Sequence, residues 1–452
     1  MNPADLPIPQ AAARLRDGRL TAVALARAHL ERIAARNPAL HAFVAVTAEP
    51  ALAAAARADA ELAAGQDRGP LHGIPIAVKD MIDIAGSATA CGSRLRAGRR
   101  AARNAEVVRR LLRGGAVPLG KLATYEFALV GPSFDQPDPP AVNPRAPERI
   151  TGGSSSGAAA AVAGGLLRTA LGTDTGGSIR APAGYCGVVG LKPTFGRVPR
   201  GGVAPLAPGL DHVGPISATV AEAALTLDAI ADPGTPAAPA AADLGRNIDG
   251  LRIAYARDWF ARDPALDPAV LGAIDAAVEI LARMGARIGT VAMPDHDLMH
   301  AAGAVMLQAE ALALHRADLA ASDPGYGRAA FRSLVSGICL TGEDLAAARR
   351  AGEYLRAEID RTIFAFHDAL VTATTLTPAP PLAAFRAGRP VWTPMRTLPF
   401  NLTGHPALAL PAGSSDGLPL SLQIVGRAFD ECRICRIGHA LESALRTNGP
   451  SV

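Results

Sequence analysis

Residues 150–182 read ITGGSSSGAAAAVAGGLLRTALGTDTGGSIRAP. Two Gly/Ser turns, GGSSSG and DTGGS, enclose a run of small residues that reads as a helix and a short strand, RTALGTD. Successive glycines let the backbone approach a ligand closely and aim several N–H groups at one point. That is what an anion or a developing oxyanion requires.

The same texture extends outward. From Gly73 to Gly214, short apolar runs such as IPIAV and GVVGL lie between Gly/Pro turns, with a helix-like stretch over Glu106 to Arg113. Alternating strands and helices predict an α/β fold with a large central mixed β-sheet surrounded by α-helices. Upstream, Leu20, Val23, Leu25, Leu30 and Ile33 recur at helical spacing, and the region 20–65 is expected to hold two or more Ala-rich helices separated at Asn37-Pro38. Downstream, the Pro/Ala-rich stretch DPGTPAAPAAADLGRN at 232–247 reads as a surface connection. Beyond it, LRIAYA, ALVTAT and PALALPAG read as strands, and 267–286, 298–320 and 343–367 as helices. The expected organisation is one domain: N-terminal helices over 1–66, a catalytic core over 67–231, the connection over 232–250, and a C-terminal part over 251–452 that shapes a substrate pocket.

Composition narrows the function classes. Of 452 residues, 49% are hydrophobic and 19% charged, which supports a large core and argues against disorder. A net charge of +4 with no long basic block gives no reason to expect nucleic acid or an anionic membrane as partner. The N-terminus lacks the apolar run of a secretory signal, and no uninterrupted apolar stretch is long enough to span a bilayer, so a cytoplasmic location is expected. Five cysteines, Cys91, Cys186, Cys339, Cys432 and Cys435, do not form a disulfide framework. The CxxC at 432–435 stands alone on a helical pattern, and His296 and His300 lack the Glu of an HExxH motif, so neither a metal nor a cofactor is expected.

Lysine supplies three of the 45 basic residues: Lys79, Lys121 and Lys192. A coding bias toward Arg explains the scarcity. The positions that stay Lys are nevertheless informative, because a buried ammonium can release its proton and a guanidinium cannot.

Three readings of the Gly/Ser segment compete. A phosphate-binding loop needs G-x-x-x-x-G-K-[ST], and no Lys follows either turn. Gly153 to Gly157 fit G-x-S-x-G, which makes Ser155 a candidate nucleophile on a strand-to-helix elbow, served by a late His such as His405 or His439. The third reading pairs the segment with GIPIAVKDMIDIAG at 73–86, where Lys79 ends a β-like run.

In that pairing the chain resembles the amidase signature family, through GIPIAVKD, GGSSSG, GTDTGGSIRAPAGYCGVVGLKPTFGRV (172–198) and LDHVGPI (210–216), and more weakly through PFNLTGHPALALPAG (399–413) and GLPLSLQIVG (417–426). The resemblance implies Lys79 as base, Ser154 as bridging serine on a cis peptide bond after Gly153, and Ser178 as nucleophile. It implies an oxyanion hole from the amides of Thr175, Gly176 and Gly177, with Ser178 itself. Asp174 and Arg180 brace the nucleophile loop in this reading. Asp211 and Lys192 are anchors, Lys121 sits at a strand end beside the pocket, Cys186 is a small buried residue, and Tyr125, Phe127 and the ALVGPS loop face the substrate. The chemistry is coherent: a serine hydroxyl needs a neighbour to take its proton as it attacks, and lysine can do so only when burial lowers its pKa from about 10.4.

The implied activity is hydrolysis of a carboxylic amide to acid and ammonia or amine through an acyl-Ser178 intermediate. The alternatives are the glutamine-hydrolysing component of a tRNA-dependent amidotransferase complex, or a hydrolase of carboxybiuret- or allophanate-type urea derivatives. The glutamine-using proteins carry an acid shortly before the P-x-N-L stretch, and VWTPMRTLPFN at 391–401 holds none. The expected ligand is a small-molecule amide. The protein partners the resemblance implies are a second copy, forming a homodimer, or a small accessory subunit. Trp259, Tyr326, Phe331 and Trp392 are the aromatic candidates for the pocket.

Overall fold

The computed structural model describes residues 2–321, 325–388 and 390–448. One 11-stranded sheet runs through the molecule: β1 (Phe43–Val46), β2 (Pro75–Lys79), β3 (Val117–Leu122), β4 (Thr169–Asp174), β5 (Val189–Lys192), β6 (His212–Ser217), β7 (Arg252–Tyr255), β8 (Arg287–Thr290), β9 (Ala369–Ala373), β10 (Ala407–Ser415) and β11 (Leu418–Val425). Their order across the sheet is β1-β3-β2-β4-β6-β5-β10-β11-β9-β7-β8. β2 runs parallel to both β3 and β4, β7 runs parallel to β8 and β9, and the strands between these groups pair antiparallel. The sheet is therefore mixed, as expected, and residues from both sides of the Pro/Ala-rich connection share it.

The strands that carry the polar centre are buried along their whole length. PIAVK of β2 and TALGTD of β4 expose no residue, the pattern of strands covered on both faces. The cover over this part of the sheet includes the helix Ser156–Ala163, SGAAAAVA, which makes contacts with β2, β3, β4 and β6. Its small side chains allow a close approach. A Cβ on Gly157 would collide with the Ala123 amide nitrogen and the Ala42 carbonyl oxygen, so the last residue of GGSSSG must be glycine.

Several sequence expectations shift. The first long helix runs Ala22–Leu40 straight through Pro38, ending only at His41, whose φ is +49°. The Asn37 side chain is turned to the Phe43 backbone, whose N–H donates to its Oδ1 (2.8 Å), so the chain turns into β1 beyond the proline instead of breaking before it. The helices predicted over 267–286, 298–320 and 343–367 appear as Pro268–Arg283, His296–Leu319 and Gly342–Ile359, the last followed by a π-helical turn, Asp360–Phe364. Strands β1, β8 and β11 and the helix Arg328–Val335 are additional to the elements expected. No helix among the described residues is long and apolar enough to cross a membrane.

Candidate active site

The site forms where the ends of β2 and β4 meet the two Gly/Ser turns. Lys79 is the last residue of β2 and is fully buried. Its Nζ lies 2.7 Å from Ser154 Oγ and 2.7 Å from Thr173 Oγ1. Burial pushes the Lys79 amine down to about 7, against the opposing pull of Asp174 and Asp211. At neutral pH a large share of this lysine is the free amine, the only form with a lone pair to accept a proton. Sequence reading does not single out Thr173. Its place one residue before Asp174 in GTDTGGS is the available signal.

Ser154 is buried, and the Gly153-Ser154 peptide bond is cis. Gly153 lies under the ring of Tyr125, where a Cβ would overlap the ring carbons. The Tyr125 N–H donates to Ser154 O (3.1 Å), fastening the bridging residue to the loop that follows β3. Ser178 is partly exposed and lines a cleft together with Gly152, Gly153, Thr175, Gly176 and Gly177. Its carbonyl accepts the Ser155 N–H (3.2 Å), and its Oγ has no hydrogen-bond partner among the described residues. Lys79 and Ser154 are thus in direct contact, and Ser178 adjoins them through the Ser155 N–H that its carbonyl accepts.

Ser155, the elbow candidate, points elsewhere. Its hydroxyl donates to Thr173 O (3.0 Å) and accepts the Thr173 N–H (3.2 Å), which makes it a brace for the end of β4. His405 is buried against Thr403 and Asp360, and His439 lies on the helix Glu431–Asn448. Neither lines the cleft that holds Ser178.

Asp174 organises the nucleophile loop. Its Oδ1 accepts Gly177 N–H (2.8 Å) and Asn401 Nδ2 (2.8 Å), its Oδ2 accepts Ile179 N–H (3.1 Å), and Arg180 grips both oxygens at 3.0 Å. Burial alone would raise this carboxyl; the Arg180 guanidinium overrides it and holds the group well below the usual carboxylate range. Arg180 is itself fully buried and also donates to Thr397 O, Gln423 Oε1 and Asn401 Oδ1. Asn401 and Gln423 come from PFNLTG and SLQIVG, so the two weakly matching C-terminal segments supply the underside of this loop.

Of the amides expected in the oxyanion hole, those of Thr175 and Gly176, with Ser178, have no protein acceptor among the described residues, whereas Gly177 N–H is engaged by Asp174. The Thr175 hydroxyl donates to Asp211 Oδ1 (2.6 Å), and Asp211 also accepts the Leu206 and Ala207 amides. Burial, the largest influence on Asp211, raises its carboxyl.

The other lysines are anchors. Lys121 Nζ pairs with Asp80 (2.9 Å) and donates to Thr89 Oγ1 and Ala88 O, holding the loop after β2. Lys192 Nζ donates to His405 O (2.7 Å) and Pro193 O (3.0 Å) and lies 3.2 Å from His212 Nε2. Cys186 is fully buried, its Sγ donates to Thr151 O, and burial pushes its thiol up to about 12.

The cleft is walled by Tyr125, Leu129, Val130, Ile150, Leu307, Phe385, Val391, Trp392 and Met395, among others, and encloses about 640 Å³ including its open mouth. Two expectations for the substrate side are corrected. Phe127, with φ of +48°, turns away to stack on His315 and Tyr326. Of the four aromatic candidates only Trp392 lines the cleft: Trp259 packs against Arg396 and Phe400, Tyr326 joins the Phe127 cluster, and Phe331 is exposed. No group of His, Cys, Asp and Glu side chains suited to a metal ion occurs among the described residues.

Comparison with known proteins matches the sequence and the fold to one group. The family model described as Amidase matches residues 24–435. The chain is 39% identical to the A component of glutamyl-tRNA(Gln) amidotransferase from Chloroflexus aurantiacus, covering 97% of this chain and 96% of that protein. Among solved structures, the native peptide amidase from Stenotrophomonas maltophilia superposes with a TM-score of 0.87 at 32% identity, covering 98% of this chain and 97% of that one. A structure from a vestigial protein complex, described as revealing the evolutionary origins of an s-triazine catabolic enzyme, gives a TM-score of 0.88 at 32% identity, over 97% and 98% of the two chains.

Proposed function

The chain belongs to the amidase family and is a hydrolase of carbon–nitrogen bonds; from that premise we propose that Ser178 is its nucleophile, Ser154 its proton bridge and Lys79 its base. The observation that carries the assignment is the 2.7 Å contact between Ser154 Oγ and the amine of a fully buried Lys79, whose pKa burial brings to about 7.

The steps balance without a histidine. Ser178 Oγ attacks the amide carbon, its proton passes to Ser154 Oγ, and the Ser154 proton passes to Lys79 Nζ. The tetrahedral oxyanion is met by the free amides of Thr175, Gly176 and Ser178. Collapse breaks the C–N bond as Lys79 returns the proton through Ser154 to the leaving nitrogen, releasing ammonia or amine and leaving acyl-Ser178. Water then attacks the ester, activated by the same relay, to release the acid and restore Ser178. Thr173 accepts one Lys79 N–H and so aims the amine lone pair at Ser154.

Incubation with an amide substrate followed by acid quench and peptide mass analysis is expected to find the acyl group on Ser178, and Ser178→Ala is expected to abolish both adduct and turnover. An adduct on Ser155, with Ser178→Ala still active, would overturn the assignment. A second reading rests on the amidotransferase relatives: a chain that works with partner proteins in a complex. Ammonia release by the purified chain alone favours the stand-alone enzyme; turnover only with a partner favours the complex.

A further inference from the structure

We propose that the acyl side of the substrate is uncharged and apolar, so that the enzyme acts on carboxamides of aliphatic or aromatic acids and discriminates against amino-acid amides such as free glutamine. The proposal rests on the acyl-Ser178 reading above and deepens it.

Among the described residues that line the cleft beside Ser178, none carries a charge. Several of them have a charged chain neighbour, and each of those neighbours is directed elsewhere. Glu126, beside Tyr125, is fully buried and accepts from Ser93 Oγ (2.6 Å) and Gly327 N–H (2.9 Å). Arg180, beside Ala181, is committed to Asp174. Arg396, beside Met395, pairs with Asp263 (2.7 Å). Arg332, beside Ser333, donates to Gly388 O. Arg149, beside Ile150, donates to Ala379 O. Arg386, beside Phe385, lies over the Phe134 ring, so among the described residues these neighbouring charges point away from the cleft.

What remains facing the substrate is an apolar wall with aromatic faces. The Trp392 ring lies over Gly176, its ring carbons 3.6–3.7 Å from where a Cβ on that glycine would stand. The Met395 sulfur approaches the adjoining Gly177. Phe385 packs with Ile150 and Tyr185 to form the far side. The polar side chains on this wall are neutral: Thr175, Ser333 and Thr393 line it beside Tyr125 and Tyr185, whose hydroxyls are buried. An α-ammonium and an α-carboxylate entering here would lose water and find no opposite charge among the described residues, which disfavours both binding and turnover. An apolar acyl chain gains from the same burial.

The test compares ammonia release by the full chain from hexanamide, benzamide and phenylacetamide with that from glutamine and asparagine, alongside mass analysis of Ser178. The expected result is kcat/KM at least about 100-fold higher for the best neutral amide than for glutamine, with an acyl adduct on Ser178. Trp392→Ala is expected to raise KM for phenylacetamide by about 10-fold, more than it does for acetamide. Glutamine turned over as well as or better than the neutral amides, with the adduct on Ser178, would overturn the substrate class and leave the hydrolytic mechanism standing. No ammonia from any of the neutral amides would overturn the substrate class, and turnover that survives in Ser178→Ala with no adduct on Ser178 would overturn the mechanism itself.

Discussion

Thr397 and Asp174 hold the two ends of one peptide group. The Thr397 hydroxyl donates to Gly176 O (2.6 Å), and the Asp174 carboxylate accepts Gly177 N–H (2.8 Å), so the plane between Gly176 and Gly177 is clamped from opposite sides. Gly177 has a φ of +133°, and a Cβ there would overlap the Thr397 hydroxyl, so the clamp requires glycine at 177. Fixing this plane restrains its neighbours, the amides of Gly176 and Ser178 on either side, which the proposed mechanism uses to meet the oxyanion.

Loss of the clamp should therefore be felt in the transition state. Thr397→Val keeps the shape but removes the donor, leaving Gly176 free to rotate its carbonyl. The expected outcome is a fall in kcat of about 10- to 100-fold with little change in KM, smaller than deletion of an oxyanion donor outright. Thr397→Ser restores the hydroxyl and most of the rate. Steady-state kinetics of both variants decide it; a KM effect alone would mean that Thr397 only shapes the cleft.

The opposite jaw of the clamp also bears on stability. Asp174 and Arg180 are both fully buried, and each neutralises the other. Asp174→Asn leaves the guanidinium without its counter-charge and is expected to lower unfolding stability by about 3–5 kcal/mol. Urea unfolding should show the midpoint moving down with the slope unchanged. Arg180→Lys, which cannot span Asp174, Asn401, Gln423 and Thr397 at once, is expected to destabilise in the same direction.

In the proposed relay, Lys79 sets the pH dependence. Its amine must be neutral to accept the relay proton, and burial brings its pKa to about 7. On the acid side kcat/KM is expected to fall tenfold per pH unit below about 7, and to level off above it. Lys79→Arg is expected to be inactive across the whole range. Stability follows with a definite sign. Between pH 7 and the unfolded-chain value of about 10.4, the unfolded state holds a proton that the folded state has released, so unfolding free energy rises with pH there. Below 7 both states are protonated and the full burial penalty applies. Lys79→Met is expected to flatten the rise, which denaturant titrations at pH 7, 8.5 and 10 would reveal.

The parts of the site that are legible in the sequence are those where residue type and chemistry are inseparable. A lysine in a chain that uses Arg nearly everywhere, ending a buried apolar run, marks Lys79. Paired Gly/Ser turns flanking a small-residue helix mark the segment, but the choice of Ser154 and Ser178 over Ser155 comes only with the family resemblance. Most of the sheet is legible from alternating apolar runs, but β1 and β8 are four residues each with mixed burial and give no period to read. Thr397, Asn401 and Gln423 are not legible as loop anchors, because their partners lie more than 200 residues away and their segments carry no pattern of their own. Phe127 is misplaced by sequence for a related reason: a left-handed backbone at a non-glycine residue reverses its side chain, and nothing local announces it.

Ser155 offers a test that separates the two serine readings while measuring a structural role. Its hydroxyl bonds both the N–H and the C=O of Thr173, and Thr173 in turn accepts the Lys79 N–H. A nucleophile would leave its hydroxyl facing the cleft; this one is spent on the end of β4. Ser155→Ala should therefore leave acyl transfer intact, cost about 1–3 kcal/mol of stability through the Thr173 backbone groups it leaves unpaired, and lower kcat by about tenfold or less as Thr173 loosens its hold on Lys79. Its pH–rate profile should shift slightly, since the environment of the amine changes, whereas the mass adduct should stay on Ser178. Complete loss of activity with normal folding would return Ser155 to the role of nucleophile.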